Sequence, residues 1–136
     1  MFSNIRSFFR GDFKGSAIAP SKTYTDNRKM GADKVVTVTS AAAFQEILAK
    51  NPTVVVDFFA TWCGPCKVIS PKFHEFSNKF ESVVFVEVDV DAVPEVAETA
   101  GIRAMPTFQL YKNGKLADEI VGADPNKLLS LIEKHQ

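Results

Sequence analysis

Val54-Val55-Val56-Asp57-Phe58-Phe59-Ala60-Thr61-Trp62-Cys63-Gly64-Pro65-Cys66 is the stretch from which the rest of the chain is read. Its first seven residues form a short apolar, β-branched and aromatic run that predicts a buried strand, and one acid, Asp57, interrupts it. Beyond Gly64 and Pro65, Val68, Ile69, Phe73, Phe76 and Phe80 recur at steps of three and four, which predicts a helix with one apolar face. Cys63 therefore falls where a strand ends and a helix begins. Its sulfur is expected to face the unpaired N–H groups and positive dipole end of that helix, where a thiolate is stabilised. Pro65 suits the first turn, because the N–H it lacks has no partner there in any case.

Cys63 and Cys66 are the only two cysteines among the 136 residues. The pair therefore belongs to no larger disulfide framework and to no second thiolate pair around zinc. Neither His74 nor His135 is spaced to complete a metal site with it, and both are expected to face solvent on helices. What remains is a dithiol that cycles between oxidised and reduced forms.

The flanking segments predict an alternation of strand and helix. Val35 to Thr39 is a β-branched run, followed by Ser40 as N-cap of a helix from Ala41 to Lys50 that Asn51-Pro52 ends. Val83 to Asp89 reads as a strand, and Val93 to Thr99 as a short helix closed by Gly101. Strands Thr107 to Lys112 and Leu116 to Val121 flank Asn113-Gly114, the dipeptide of a tight hairpin. Asp124-Pro125 then opens a last helix whose Leu128, Leu129 and Ile132 face the sheet. Pro71 is expected to kink the second helix. The order implies an α/β fold whose sheet is parallel at first and antiparallel at its far edge.

Charge separates the ends of the chain. The first 30 residues carry Arg6, Arg10, Lys14, Lys22, Arg28 and Lys29 against Asp12 and Asp26, net +4, and the rest carries −4. A mildly acidic domain without a basic face argues against nucleic-acid binding. No apolar run approaches the roughly 18 residues that span a membrane. Met1 to Arg10 is basic, contains serine and places Phe2, Ile5 and Phe9 on one helical stripe, the pattern of a mitochondrial transit peptide. The alternatives are a disordered tail, or an upstream start ahead of Met30. The expected division is an N-terminal extension at 1–30 and one domain at 31–136. Localisation follows from it: the mitochondrial matrix, or otherwise the cytoplasm.

Ala60-Thr61-Trp62-Cys63-Gly64-Pro65-Cys66-Lys67 resembles the active-site signature of the thioredoxin family. Gly101-Ile102-Arg103-Ala104-Met105-Pro106-Thr107-Phe108 resembles the family's cis-proline loop, and Lys112-Asn113-Gly114-Lys115 its last hairpin. The resemblance runs from about residue 34 to the end. It implies the thioredoxin fold, a central mixed sheet of about five strands flanked by about four helices. It implies a general protein-disulfide reductase working by thiol–disulfide exchange through a mixed disulfide. In this family cysteines placed like Cys63 are a known case of thiols whose pKa is lowered from about 8.5 into the range of roughly 3.5–7.5.

Position and resemblance together assign roles. Cys63 is the attacking thiol, at the helix start behind the exposed Trp62 and Gly64 where a substrate disulfide can approach, and Cys66, one turn further in and shielded, resolves the mixed disulfide. Asp57, buried in an apolar strand, should have a raised pKa. The resemblance implies that it takes the proton of Cys66; the alternative is an ion pair with Lys67 or Lys72. Trp62, Gly64, Pro65, Met105, Pro106 and Gly122 are the expected substrate-binding residues. Met105 is expected to pair with an extended client across a cis bond to Pro106, and Gly122 to allow close approach of substrate backbone. Glu87 stands where bacterial members often carry lysine, which removes a lysine–aspartate coupling.

Gly64-Pro65 places no charge between the thiols, so the dithiol is expected to be a good electron donor. The resemblance implies recharging by thioredoxin reductase, an NADPH-dependent flavoenzyme, and clients such as peroxiredoxins and reductases. A monomer with no cofactor of its own is expected, as no glycine-rich nucleotide loop occurs. The alternatives are a disulfide oxidant or isomerase, and a redox-dependent binding subunit of another protein.

Overall fold

The structure, a computed structural model, describes residues 34–136. The expected stripe of Phe2, Ile5 and Phe9 and the extension at 1–30 lie outside the described residues. The elements run β1 Val36–Thr37, α1 Ala41–Lys50, β2 Thr53–Phe59, α2 Gly64–Lys79, β3 Val84–Asp89, α3 Pro94–Ala100, β4 Thr107–Lys112, β5 Lys115–Val121 and α4 Pro125–His135. The five strands form one sheet in the order β1-β3-β2-β4-β5. β3 is parallel to β1 and to β2, β4 runs antiparallel to β2, and β5 runs antiparallel to β4. The mixed α/β architecture expected from the chain is thus the one observed.

Local chemistry sets most boundaries. The Ser40 side chain accepts from Ala43 N–H at 3.1 Å, and Asp124 Oδ1 accepts from the N–H groups of Asn126 and Lys127 at 3.0 and 3.3 Å. These are N-caps that satisfy otherwise orphaned donors. At the end of α3, Ile102 and Gly101 donate to Ala97 and Glu98, the paired bonds of a Schellman cap. The hairpin between β4 and β5 has positive φ at both Asn113 (54°) and Gly114 (84°). That is the type I′ turn, whose twist matches that of the strands.

The central strand β2 is buried along nearly its whole length, and its side chains alternate between two layers. Val54, Val56 and Phe58 pack with Phe44, Ile47 and Val96 from α1 and α3. Val55 packs with Ile69, Phe73, Leu128 and Ile132 from α2 and α4. Phe73 anchors the second layer, with ring centroids 5.2 Å from Phe85 and 5.6 Å from Phe108. Asp57 follows Val55 by two residues, so it points into the layer beneath α2.

One expectation changes in detail. β1 pairs over two residues instead of five, and among the described residues it lies at the edge of the sheet with β3 as its only neighbour. α2 holds Pro71 in its interior, where the sequence placed it, within one helix from Gly64 to Lys79. Pro71 removes a single backbone bond there, and the apolar face holding Ile69 and Phe73 in the core continues on both sides of it.

Candidate active site

The turn from β2 to α2 places the two cysteines. Cys63 is the N-cap of α2 and Cys66 lies within its first turn, which brings their Cα atoms to 5.3 Å, and the two sulfurs form a disulfide. The backbone N–H of Cys66 donates to Sγ of Cys63 at 3.2 Å. The sulfur of Cys63 therefore occupies the position of a capping oxygen, where negative charge meets orphaned donors and the helix dipole. Gly64 and Pro65 between them are exposed.

The expected contrast between an open Cys63 and a shielded Cys66 is not one of area. Both are buried, at 5% and 3% exposure. The reason lies in the loop opposite: Sγ of Cys63 lies 3.7 Å from the carbonyl oxygen of Met105. The Met105–Pro106 bond is cis, as the resemblance implied. Gly122 N–H donates to the Pro106 carbonyl at 2.9 Å and so ties the end of β5 to this loop. Space is open where a Cβ on Gly122 would stand. Trp62 is 67% exposed, with its indole N–H donating to Asp91 Oδ2 at 2.9 Å. The structure thus sets Met105 against Cys63, joins Gly122 to the adjoining Pro106, and leaves Trp62, next to Cys63 in the chain, exposed.

Asp57 is 2% exposed and its Oδ1 has no hydrogen-bond partner. Burial above all, with the charge of Glu87 adding and His74 opposing, pushes its pKa from 3.8 to about 7. The alternative of an ion pair with Lys67 or Lys72 is not formed: Lys72 faces Glu75 at 3.5 Å, and Lys67 is exposed at the mouth of the cleft. That cleft, of about 360 Å³, is lined by Asp57, Cys66, Thr61, Lys67, Ser70 and Glu87. The Asp57 carboxyl and the Cys66 side chain thus open onto one space, large enough to hold a water.

Both histidines depart from the expected free solvent-facing position. His74 Nε2 lies 3.4 Å from Glu87 Oε2, and His135 Nε2 lies 3.0 Å from Asp118 Oδ2. Each is a long, partly buried side chain at a helix–sheet seam, where an acid on the neighbouring strand offers a partner. Asp91 and His74 carried no signal in the sequence, since each acquires its partner only through the fold. Among the described residues no group of acids, histidines and cysteines is arranged to hold a metal ion.

A reversible disulfide at a helix start, facing a cis-proline loop and a cleft with a protonatable carboxyl, defines a thiol–disulfide oxidoreductase of the thioredoxin fold. The comparisons agree. The thioredoxin family model matches residues 34–134. Thioredoxin-1 of Schizosaccharomyces pombe is 53% identical over 96 residues, spanning 71% of this chain and 93% of that protein. The solved thioredoxin of Plasmodium falciparum superposes with a TM-score of 0.73 at 50% identity, covering 74% of this chain and 98% of that one. A chain from a structural study of thiol resolution in a yeast mitochondrial 1-Cys peroxiredoxin by glutathione and thioredoxin systems is 37% identical, with a TM-score of 0.71 over 74% of this chain and 94% of that one. The chain belongs to the thioredoxin family and is a thiol–disulfide reductase. These relatives do not favour the oxidant, isomerase or binding-subunit alternatives.

Proposed function

We propose that the chain takes electrons from thioredoxin reductase, an NADPH-dependent flavoenzyme, and delivers them to client disulfides such as those of peroxiredoxins and reductases. Cys63 attacks first. Its thiolate forms a bond to one client sulfur, the client S–S bond breaks, and the second client sulfur leaves as a thiolate that takes up a proton. Cys66 then gives its proton to Asp57 through the shared cleft and attacks Sγ of Cys63. The mixed disulfide breaks, the remaining client sulfur departs with the bonding electron pair, and the Cys63–Cys66 disulfide remains. Two electrons pass in each cycle, and of the two protons that the client thiols take up, one comes from Cys66 by way of Asp57 and the other from water.

Trp62, Gly64, Pro65, Met105, Pro106 and Gly122 form the contact surface. The Met105 carbonyl beside Cys63 is the backbone acceptor to which an extended client segment adds. The chain acts as a monomer and needs no bound cofactor. Residues 1–30 are an extension to the domain at 31–136 and direct it to the mitochondrial matrix; without that address the chain is cytoplasmic.

The observation that carries this reading is the Cys63 sulfur serving as N-cap of α2, with the Cys66 N–H aimed at it. The test is insulin-disulfide reduction with NADPH and thioredoxin reductase. Wild type is expected to turn over, Cys63→Ser to be inactive, and Cys66→Ser to stop at one mixed disulfide per chain, seen by mass spectrometry. Turnover by Cys63→Ser would end the proposal.

A further inference from the structure

Two carboxyl groups open onto the cleft beside Cys66, and only one of them is tied down. Asp57 and Glu87 are register neighbours on β2 and β3, and Glu87 in turn is the register neighbour of Thr37 on β1. Glu87 is held on both oxygens by different elements. Thr37 Oγ1–H donates to its Oε1 at 3.0 Å, and His74 Nε2 from α2 lies 3.4 Å from its Oε2. Asp57 Oδ1 has no hydrogen-bond partner among the described residues.

We propose that His74 is a positioning residue: by fastening Glu87 as a compensated carboxylate, it leaves Asp57 as the acceptor of the Cys66 proton. The inference rests on the reading of Asp57 as that acceptor. The charged groups around Asp57 are Glu87 from β3 and His74 and Lys67 from α2. β1 contributes the neutral Thr37, and β4 sets apolar Phe108 opposite Asp57. Without the His74 ring at Oε2 of Glu87, the charge of Glu87 bears on Asp57 without that counterweight. Asp57 then holds its proton more tightly and accepts the Cys66 proton only at higher pH.

The test follows Asp57 and Glu87 by carboxyl carbon NMR titration of the full-length reduced protein, alongside the pH profile of mixed-disulfide resolution. His74→Gln is expected to move the Asp57 midpoint up by about half to one pH unit, a roughly three- to tenfold gain in proton affinity. Glu87→Gln is expected to move it down, and most of the His74→Gln shift is expected to vanish in the Glu87→Gln background. His74→Lys is expected to restore the wild-type midpoint, and the resolution profile to follow each shift. A His74→Gln protein that loses thermal stability while Asp57 titrates as before would make the contact merely structural and overturn the inference. A shift that persists without Glu87 would overturn the route through Glu87. Asp57→Asn separates the two levels. Resolution at the wild-type rate in that variant overturns the acceptor role of Asp57 and the inference with it. Slowed resolution there, with an unmoved midpoint in His74→Gln, overturns the inference alone.

Discussion

The indole N–H of Trp62 donates to the carboxylate of Asp91 across 29 residues of sequence, at 2.9 Å, while two-thirds of the ring remains exposed. A large apolar ring is thus fixed in orientation beside the thiols without being buried. Asp91 lies just beyond β3, and its own N–H donates to Asp89 Oδ1 at 2.9 Å, which shapes the turn that presents it.

Freeing the indole should cost client recognition more than stability. Asp91→Ala is expected to raise the KM for insulin reduction several-fold with kcat little changed. Its unfolding free energy should stay within about 0.5 kcal/mol of wild type, as is usual for exposed substitutions. Trp62 is the only tryptophan, so its emission reports the change directly.

Asp57 makes stability depend on pH in a defined direction. Its pKa is raised on folding, so the folded protein binds a proton that the unfolded chain releases between 3.8 and about 7. Stability is full below pH 4 and falls as pH rises through 7. The fully developed penalty is up to about 4 kcal/mol. Asp57→Asn should therefore match wild type in urea unfolding at pH 4 and exceed it by about 2–4 kcal/mol at pH 8. Equal stabilities at pH 8 would mean that the carboxylate has a partner after all.

Gly122 tests backbone strain apart from crowding. Its φ is 111°, a value that L side chains avoid, although nothing stands within 4 Å of an added Cβ. Gly122→Ala is expected to destabilise by about 1–2 kcal/mol through the backbone alone. Because Gly122 N–H holds the Pro106 carbonyl, client reduction should slow as well. Chemical denaturation and the insulin assay read the two effects separately.

How much was legible divides along one line. Features fixed by a few adjacent residues could be read: the Ser40 and Asp124 caps, the Asn113-Gly114 turn, and the junction that makes Cys63 an N-cap. The buried acid in β2 could be read too, because Asp57 interrupts an otherwise apolar strand. Features that depend on register between distant strands could not. His74 beside Glu87 and Asp91 beneath Trp62 exist only once the parallel pairing of β2 and β3 is set, and Glu87 beside Asp57 was reached through the family resemblance alone. The burial of Cys63 escaped for the same reason, since Met105, 42 residues away, covers it.

The central claim is that the sulfur of Cys63 is held as a thiolate near neutrality by the helix it caps. The direct measurement is titration of the reduced protein by thiolate absorbance and by the pH dependence of iodoacetamide alkylation at Cys63. A midpoint below about 7.5, with alkylation at pH 7 far faster than for a free thiol, is the predicted result. A midpoint near 8.5 with ordinary alkylation would contradict the account.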